Sequence, residues 1–254
     1  MPLRDAAAVL GVHYQTAYSW VRQGVLPARK VGRDYQVTEA DVQALRDRRA
    51  SGVPPRHDVR VRDWAAQADL LYTAIASGAE TVARARLDRI AAGVSLVDLC
   101  ERVIAPAMRQ IGDDWAAGTV TIAAEHRATA ICERLIGPPS ARQPAGRPRG
   151  VAVTATPEGE RHGLPALMAA GCLREDRWHV HHLGSDLPGG EVERIAVDVG
   201  ARLVVLSSST AESAERAAAE AARLARAQPG LRVLAGRPGD SLRQLIQLAR
   251  ATEA

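Results

Sequence analysis

A chain of 254 residues, 46% of them hydrophobic, has room for two or three folded domains. Lysine and arginine number 33 against 29 acidic residues, a net charge of +4 that suits contact with nucleic acid without demonstrating it. The cysteines Cys100, Cys132 and Cys172 are scattered and form no C-x-x-C pair, and no signal peptide or membrane-spanning run is present; a cytoplasmic protein with reduced thiols is expected, rather than a secreted or membrane one.

Residues 1–50 read as short helices around a hairpin. LRDAAAVLGV stops at Gly11, HYQTAYSWVRQG stops at Gly24, KVGRDYQV alternates about Gly32-Arg33, and TEADVQALRDRR starts a third helix behind the N-cap Thr38. Two helices joined by a glycine turn make a candidate helix-turn-helix for double-stranded DNA. Tyr14, Gln15, Thr16, Tyr18, Ser19 and Arg22 would face base edges, and Arg29, Lys30 and Arg33 would face phosphates. On pattern alone, a protein-binding helical domain with a solvated basic face remains the alternative. RASGVPPRHD then has the composition of a linker.

From 62 to 137 four runs with 3–4 apolar spacing, each ending near a glycine, predict a four-helix bundle. GPPSARQPAGRPRG reads as a second linker. Residues 150–254 alternate apolar runs (GVAVTAT, WHVHHLG, RLVVLSS, LRVLAG) with helical segments starting near Gly163, Gly190, Ala211 and Ser241. That alternation predicts a doubly wound, flavodoxin-like parallel sheet, shortened because the chain ends soon after its fourth strand.

The corner after the first of these strands, TATPEGERHG, carries Glu160 and His162. Open α/β sheets bind ligands in the crevice beyond the carboxyl ends of their strands. An imidazole there can ligate a metal while a carboxylate orients its other nitrogen; a solvated or capping histidine is the commoner use of a lone loop His. In the bundle, Trp115 precedes a helix holding Glu125 and His126. The alanines Ala123, Ala124, Ala128 and Ala130 keep that helix thin. Taken alone, these would read as a packing tryptophan and a surface Glu-His pair.

Two stretches carry a resemblance. AAAVLGVHYQTAYSWVRQGVLPARKVGRDYQVTEADVQAL resembles the excisionase-type, MerR-related winged helix-turn-helix. In that family the segment matching His13–Gly24 enters the major groove and a wing containing Arg29–Arg33 grips the backbone. Trp115, nine intervening residues, then Glu125-His126, followed in the α/β segment by Glu160-Arg161-His162, resemble the MerR-like, light-responsive cobalamin-binding regulators. The resemblance implies adenosylcobalamin, with Trp115, Glu125 and His126 around the adenosyl group and His162 as the lower axial ligand to cobalt. Ser207, Ser209 and Gly236 would lie near the buried nucleotide tail. It further implies a repressor and no enzyme: a homo-oligomer, dimer or tetramer, that holds its DNA operator in the dark and falls apart when light breaks the Co–C bond.

The departures from the pattern are Pro165 where the E-x-H-x-x-G motif ends in glycine, Ala235-Gly236 in place of a glycine pair, and Ala116 where light-responsive relatives place a histidine after the tryptophan. Two rival readings stand beside this one. The first is the same architecture without the cofactor or sensing another ligand; the second is a corrinoid carrier for methyl transfer.

Overall fold

The computed structural model describes residues 1–22, 26–31, 34–50, 63–91, 93–140, 144 and 146–251. They fall into two compact units, Met1–Asp63 and Trp64–Ala254.

In the first unit, helix α1 (Leu3–Val9) gives way to α2 (Tyr14–Arg22) through Gly11, whose φ of +65° ends the first helix as glycine does best. Strands β1 (Arg29–Val31) and β2 (Asp34–Gln36) pair antiparallel, Lys30 opposite Tyr35. Helix α3 (Glu39–Ala50) follows, and the Asp41 N–H donates to Thr38 Oγ1 at 3.1 Å, the expected N-cap. Leu3, Leu10, Leu26, Val37 and Leu45 fill the core. The expected linker falls largely on 51–62, outside the described residues.

The second unit opens with α4 (Trp64–Ala76) and α5 (Glu80–Ala91). The third helical run is continuous but uneven: α6 (Leu96–Leu99), a π-helical turn (Cys100–Ile104), then α7 (Ala105–Ala116). Pro106 has no N–H for the helical ladder, and the wide turn ahead of it closes through the Ala105 N–H on the Cys100 carbonyl. Helix α8 (Ile122–Ser140) corrects one expectation. It runs through Pro138 and Pro139, where a linker was predicted from Gly137. Pro138 cannot donate to the Arg134 carbonyl four residues back, and the Arg84 guanidinium donates there instead, at 3.3 Å.

Four parallel strands follow, β3 (Val151–Pro157), β4 (His179–Leu187), β5 (Leu203–Leu206) and β6 (Arg232–Ala235), in the order β4-β3-β5-β6. Helices α9 (Leu164–Glu175), α10 (Glu191–Asp198), α11 (Ala211–Ala227) and α12 (Leu242–Arg250) alternate with them. Val153, Ala155, Val204 and Leu206 face Val192, Ala217 and Leu224 on one side of the sheet. On the other side Ala152 and Val205 share a single core with Leu173, Trp178 and Ile246, and with Ile75, Ile104, Ile111 and Ile131 of the helical segment. The stretches 62–137 and 150–254, separate in sequence, are therefore welded through α8 and α9. After β6 the chain turns directly into α12, and the sheet of the described residues has four strands.

Candidate functional site

Strand β3 carries the chain to the carboxyl edge of the sheet, where Gly159 turns it at φ +81°. The corner is tied down on both sides. The Thr156 hydroxyl donates to the Glu160 carbonyl at 2.6 Å, the Asp186 N–H donates to the same carbonyl at 3.0 Å, and the Gly159 N–H donates to Asp186 Oδ1 at 2.7 Å. This drives the Glu160 side chain inward until the residue is 2% exposed.

A buried carboxylate needs donors, and Glu160 has a full set. Its Oε2 accepts from the Ser209 N–H (2.8 Å), the Ser209 hydroxyl (2.6 Å) and the Ser213 hydroxyl (2.6 Å); its Oε1 accepts from the His162 N–H (2.9 Å). Ser213 is the third residue of α11 and pairs reciprocally with the N-cap Thr210, so the positive end of that helix also faces the charge. Burial alone would raise the carboxyl pKa; these hydrogen bonds outweigh it and hold the value at about 2. Glu160 is thus a fixed anion.

The anion fixes the imidazole. His162 Nδ1 lies 2.6 Å from Glu160 Oε1 and 2.9 Å from the Ser209 hydroxyl, while 63% of its side chain is exposed. With Nδ1 carrying the proton toward an ionised carboxylate, Nε2 is the lone-pair nitrogen and faces outward, a tautomer assigned from these contacts. The outcome is a pre-oriented, metal-competent imidazole. Among the described residues no three histidine, cysteine or carboxylate side chains gather around a common point. The site therefore suits a metal that brings its remaining ligands with it.

The helical segment presents the second group. Trp115 stands on the last turn of α7, 49% exposed, beside Asp114. Asp114 accepts the Tyr72 hydroxyl at 2.6 Å, and its carbonyl closes the corner by accepting from the Thr119 and Val120 N–H groups. On the first turn of α8, Glu125 accepts the Thr129 hydroxyl at 3.0 Å and lies 3.6 Å from His126 Nε2, whose side chain is 72% exposed. Two turns further along, Glu133 borders the corner: a Cβ added at Gly163 would sit 3.9 Å from its Oε1. The seven residues from His126 to Glu133 rise roughly 10 Å along α8. Among the described residues no hydrogen bond or ion pair joins the two groups.

Ser209, expected near a nucleotide tail, bonds Glu160 and His162. Ser207 is buried just past β5, and its N–H donates to the Ala155 carbonyl. Ser208 donates to the Gly236 carbonyl. A Cβ at Gly236 would meet only ordinary contacts, 3.5 Å from the Leu206 carbonyl, so packing does not demand glycine there. Pro165 sits in the first turn of α9, where no N–H is required. Ser213 escaped sequence reasoning; the Thr210/Ser213 capping pair was visible, but not its bond to a residue 53 positions earlier.

In the first unit, Tyr14, Gln15 and Thr16 are exposed on the first turn of α2. Tyr18 is half-buried, its ring 6.3 Å from Tyr14 and 5.8 Å from Tyr35, so it pins α2 to β2 instead of standing free. The side chains of Ser19, Arg22, Arg29 and Lys30, and the whole of Arg33, lie outside the described residues.

Comparison with known proteins adds three findings. Residues 3–50 match the helix-turn-helix domain model and residues 67–137 match the model described as B12 binding domain. Over 151 residues the chain is 30% identical to the HTH-type transcriptional repressor CarH of Myxococcus xanthus, covering 59% of this chain and 50% of that protein; the chain spans about half the length of the curated relative it matches. Among solved structures, the monomethylamine corrinoid protein of Methanosarcina barkeri is similar at TM-score 0.54 and 19% identity, over 66% of this chain and 82% of that one. At that identity the likeness concerns the fold. A cobalamin-binding protein of Desulfitobacterium hafniense DCB-2 matches at TM-score 0.36 and 16% identity, over 76% of this chain and 99% of that one. No helix among the described residues is long and apolar enough to cross a membrane.

Proposed function

We propose that the chain is a MerR-like, cobalamin-binding helix-turn-helix regulator, a transcriptional repressor whose hold on DNA is set by adenosylcobalamin and light; the two domain matches and the likeness to a transcriptional repressor support this reading. The observation that carries this reading is the buried Glu160 anion holding His162 with Nε2 free at the carboxyl end of β3. A corrin would bring most of its cobalt's ligands with it, so His162 would be the one residue needed to hold the metal. The donor set fits.

When bound, the group would supply a light-cleavable cobalt–carbon bond. The chain's own residues do the rest. Glu160, held by Ser209 and Ser213, keeps the His162 proton on Nδ1 and orients the ring. Helices α4–α8 act as a four-helix cap, in which the exposed Trp115 with Glu125 and His126 offers an aromatic and polar wall to an adenosyl group. Such a group can favour one state only through contacts that differ between states, and an indole half-open to solvent is suited to register its arrival and loss.

In the first unit, α2 is the DNA-reading helix and the β1–β2 hairpin the wing. A module this small binds weakly alone, which is the reason to expect a homo-oligomer, dimer or tetramer, on a two-part operator. No turnover is involved, and the helix-turn-helix unit sets this reading apart from a corrinoid carrier.

The test is duplex DNA selected from a random pool by the full chain in the dark with adenosylcobalamin. Affinity at least tenfold weaker without the cofactor, or after green light, is the expected result. Equal affinity under all three conditions would overturn the proposal.

A further inference from the structure

Outside this site, strand β4 carries three histidines within four residues, His179, His181 and His182, and their side chains divide between its two faces. His182 turns inward to Thr154, its Nδ1 3.0 Å from the hydroxyl, and burial followed by the nearby Arg174 charge lowers its pKa. His179 and His181, two apart and therefore on the other face, stand together with ring centroids 5.0 Å apart and planes at 78°. β4 is an edge strand, since only β3 pairs with it. His179 is exposed, His181 is half-exposed, and neither ring has a hydrogen-bond partner among the described residues.

Two unpartnered imidazoles at this separation have the dimensions of a chelate. With metal–nitrogen bonds of about 2.0–2.1 Å each ring centroid lies about 3.2 Å from the metal. Rings meeting at roughly 90–110° then have centroids about 4.5–5.2 Å apart, a range that includes the observed spacing. Their steep mutual tilt is no obstacle, because each ring can turn about its own metal–nitrogen axis. The strand backbone fixes both Cβ positions, so chelation costs little beyond side-chain ordering.

We propose that His179 and His181 form a binding site for one divalent transition-metal ion, separate from the His162 corner. The ligands select the ion class: neutral imidazole suits copper, nickel and zinc and disfavours magnesium and calcium. Since no third histidine, cysteine or carboxylate joins the pair among the described residues, water completes the coordination. The order of affinity should be Cu²⁺ above Ni²⁺ and Zn²⁺.

Copper(II) sulfate titrated into the full chain, followed by electron paramagnetic resonance, tests this. The expected signal arises from one tight Cu²⁺ per chain with two equatorial imidazole nitrogens. His179→Asn and His181→Asn should each weaken binding at least tenfold, the double variant should lose the two-nitrogen signal, and His162→Ala should keep it. Ni²⁺ and Zn²⁺ should compete where Mg²⁺ does not. Both positions are accessible on an edge strand, and matching circular dichroism spectra would confirm that the variants fold; His179→Gln and His181→Gln provide a second pair. Affinity unchanged in either single position, or a signal lost with His162→Ala alone, would overturn the proposal.

Discussion

Replacing Glu160 with glutamine separates a structural anion from an ordinary surface carboxylate. Four hydrogen bonds, from two hydroxyls and two backbone N–H groups, lower its pKa from 4.5 to about 2 against the opposing effect of burial. A displacement of that size is worth about 3 kcal/mol if the whole of it counts as stability. The His162 side of the loop is open to water, and screening brings the figure down to roughly 1–2 kcal/mol. The sign follows from the depressed folded value. The contribution is complete above about pH 5, where the unfolded chain's carboxyl is ionised too, and it is lost as pH falls toward 2. At neutral pH the variant also turns an amide NH₂ toward donors, at a cost of about 1–3 kcal/mol. Urea unfolding followed by tryptophan fluorescence reads this out, since Trp178 is fully buried in the shared core. Wild type should exceed Glu160→Gln in stability at pH 7, and the gap should close between about pH 5 and pH 2. A gap that stays constant across that range would refute the fixed-anion argument.

Trp115→Ala should leave stability nearly unchanged, because the indole is half-exposed, yet weaken cofactor-dependent assembly or uncouple it from light; sedimentation in dark and light checks both halves. Arg22→Ala should lower affinity for the selected DNA sequence, whereas Arg33→Ala should lower affinity for all sequences and reduce the salt slope by about one. Fluorescence anisotropy over a salt series distinguishes the two, and unchanged binding in both variants would move the reading surface elsewhere.

Much of the architecture was legible because it rests on local patterning. The glycine stop at Gly11, the Thr38 cap, the helical runs and the four apolar strands each announce themselves within a dozen residues. The corner bearing Glu160 and His162 was legible as a place, an apolar strand ending in polar residues ahead of a helix, but a lone loop histidine is more often solvated, and the role of His162 came from the family resemblance. What escaped depends on distant neighbours. Pro138-Pro139 read as a linker because the rescue of the Arg134 carbonyl comes from Arg84, on another helix. Ser209 and Ser213 meet Glu160 only because β5 pairs beside β3 and delivers the start of α11 to the corner. The place of Tyr18 on α2 was visible, and its packing against Tyr35 was not. The shared core of helices and sheet was hidden by a proline- and arginine-rich connection that suggested independence.

The central claim is that Glu160 holds His162 so that its Nε2 takes cobalt. Electron paramagnetic resonance of the full chain with cobalamin in its paramagnetic Co(II) form tests it directly, comparing protein made with ordinary histidine and protein made with histidine labelled with heavy nitrogen. A protein imidazole on the metal must change the nitrogen splitting when the label is introduced. The account predicts a label-dependent splitting in wild type and its loss in His162→Ala. A splitting indifferent to the label, or one that survives in His162→Ala, would contradict it.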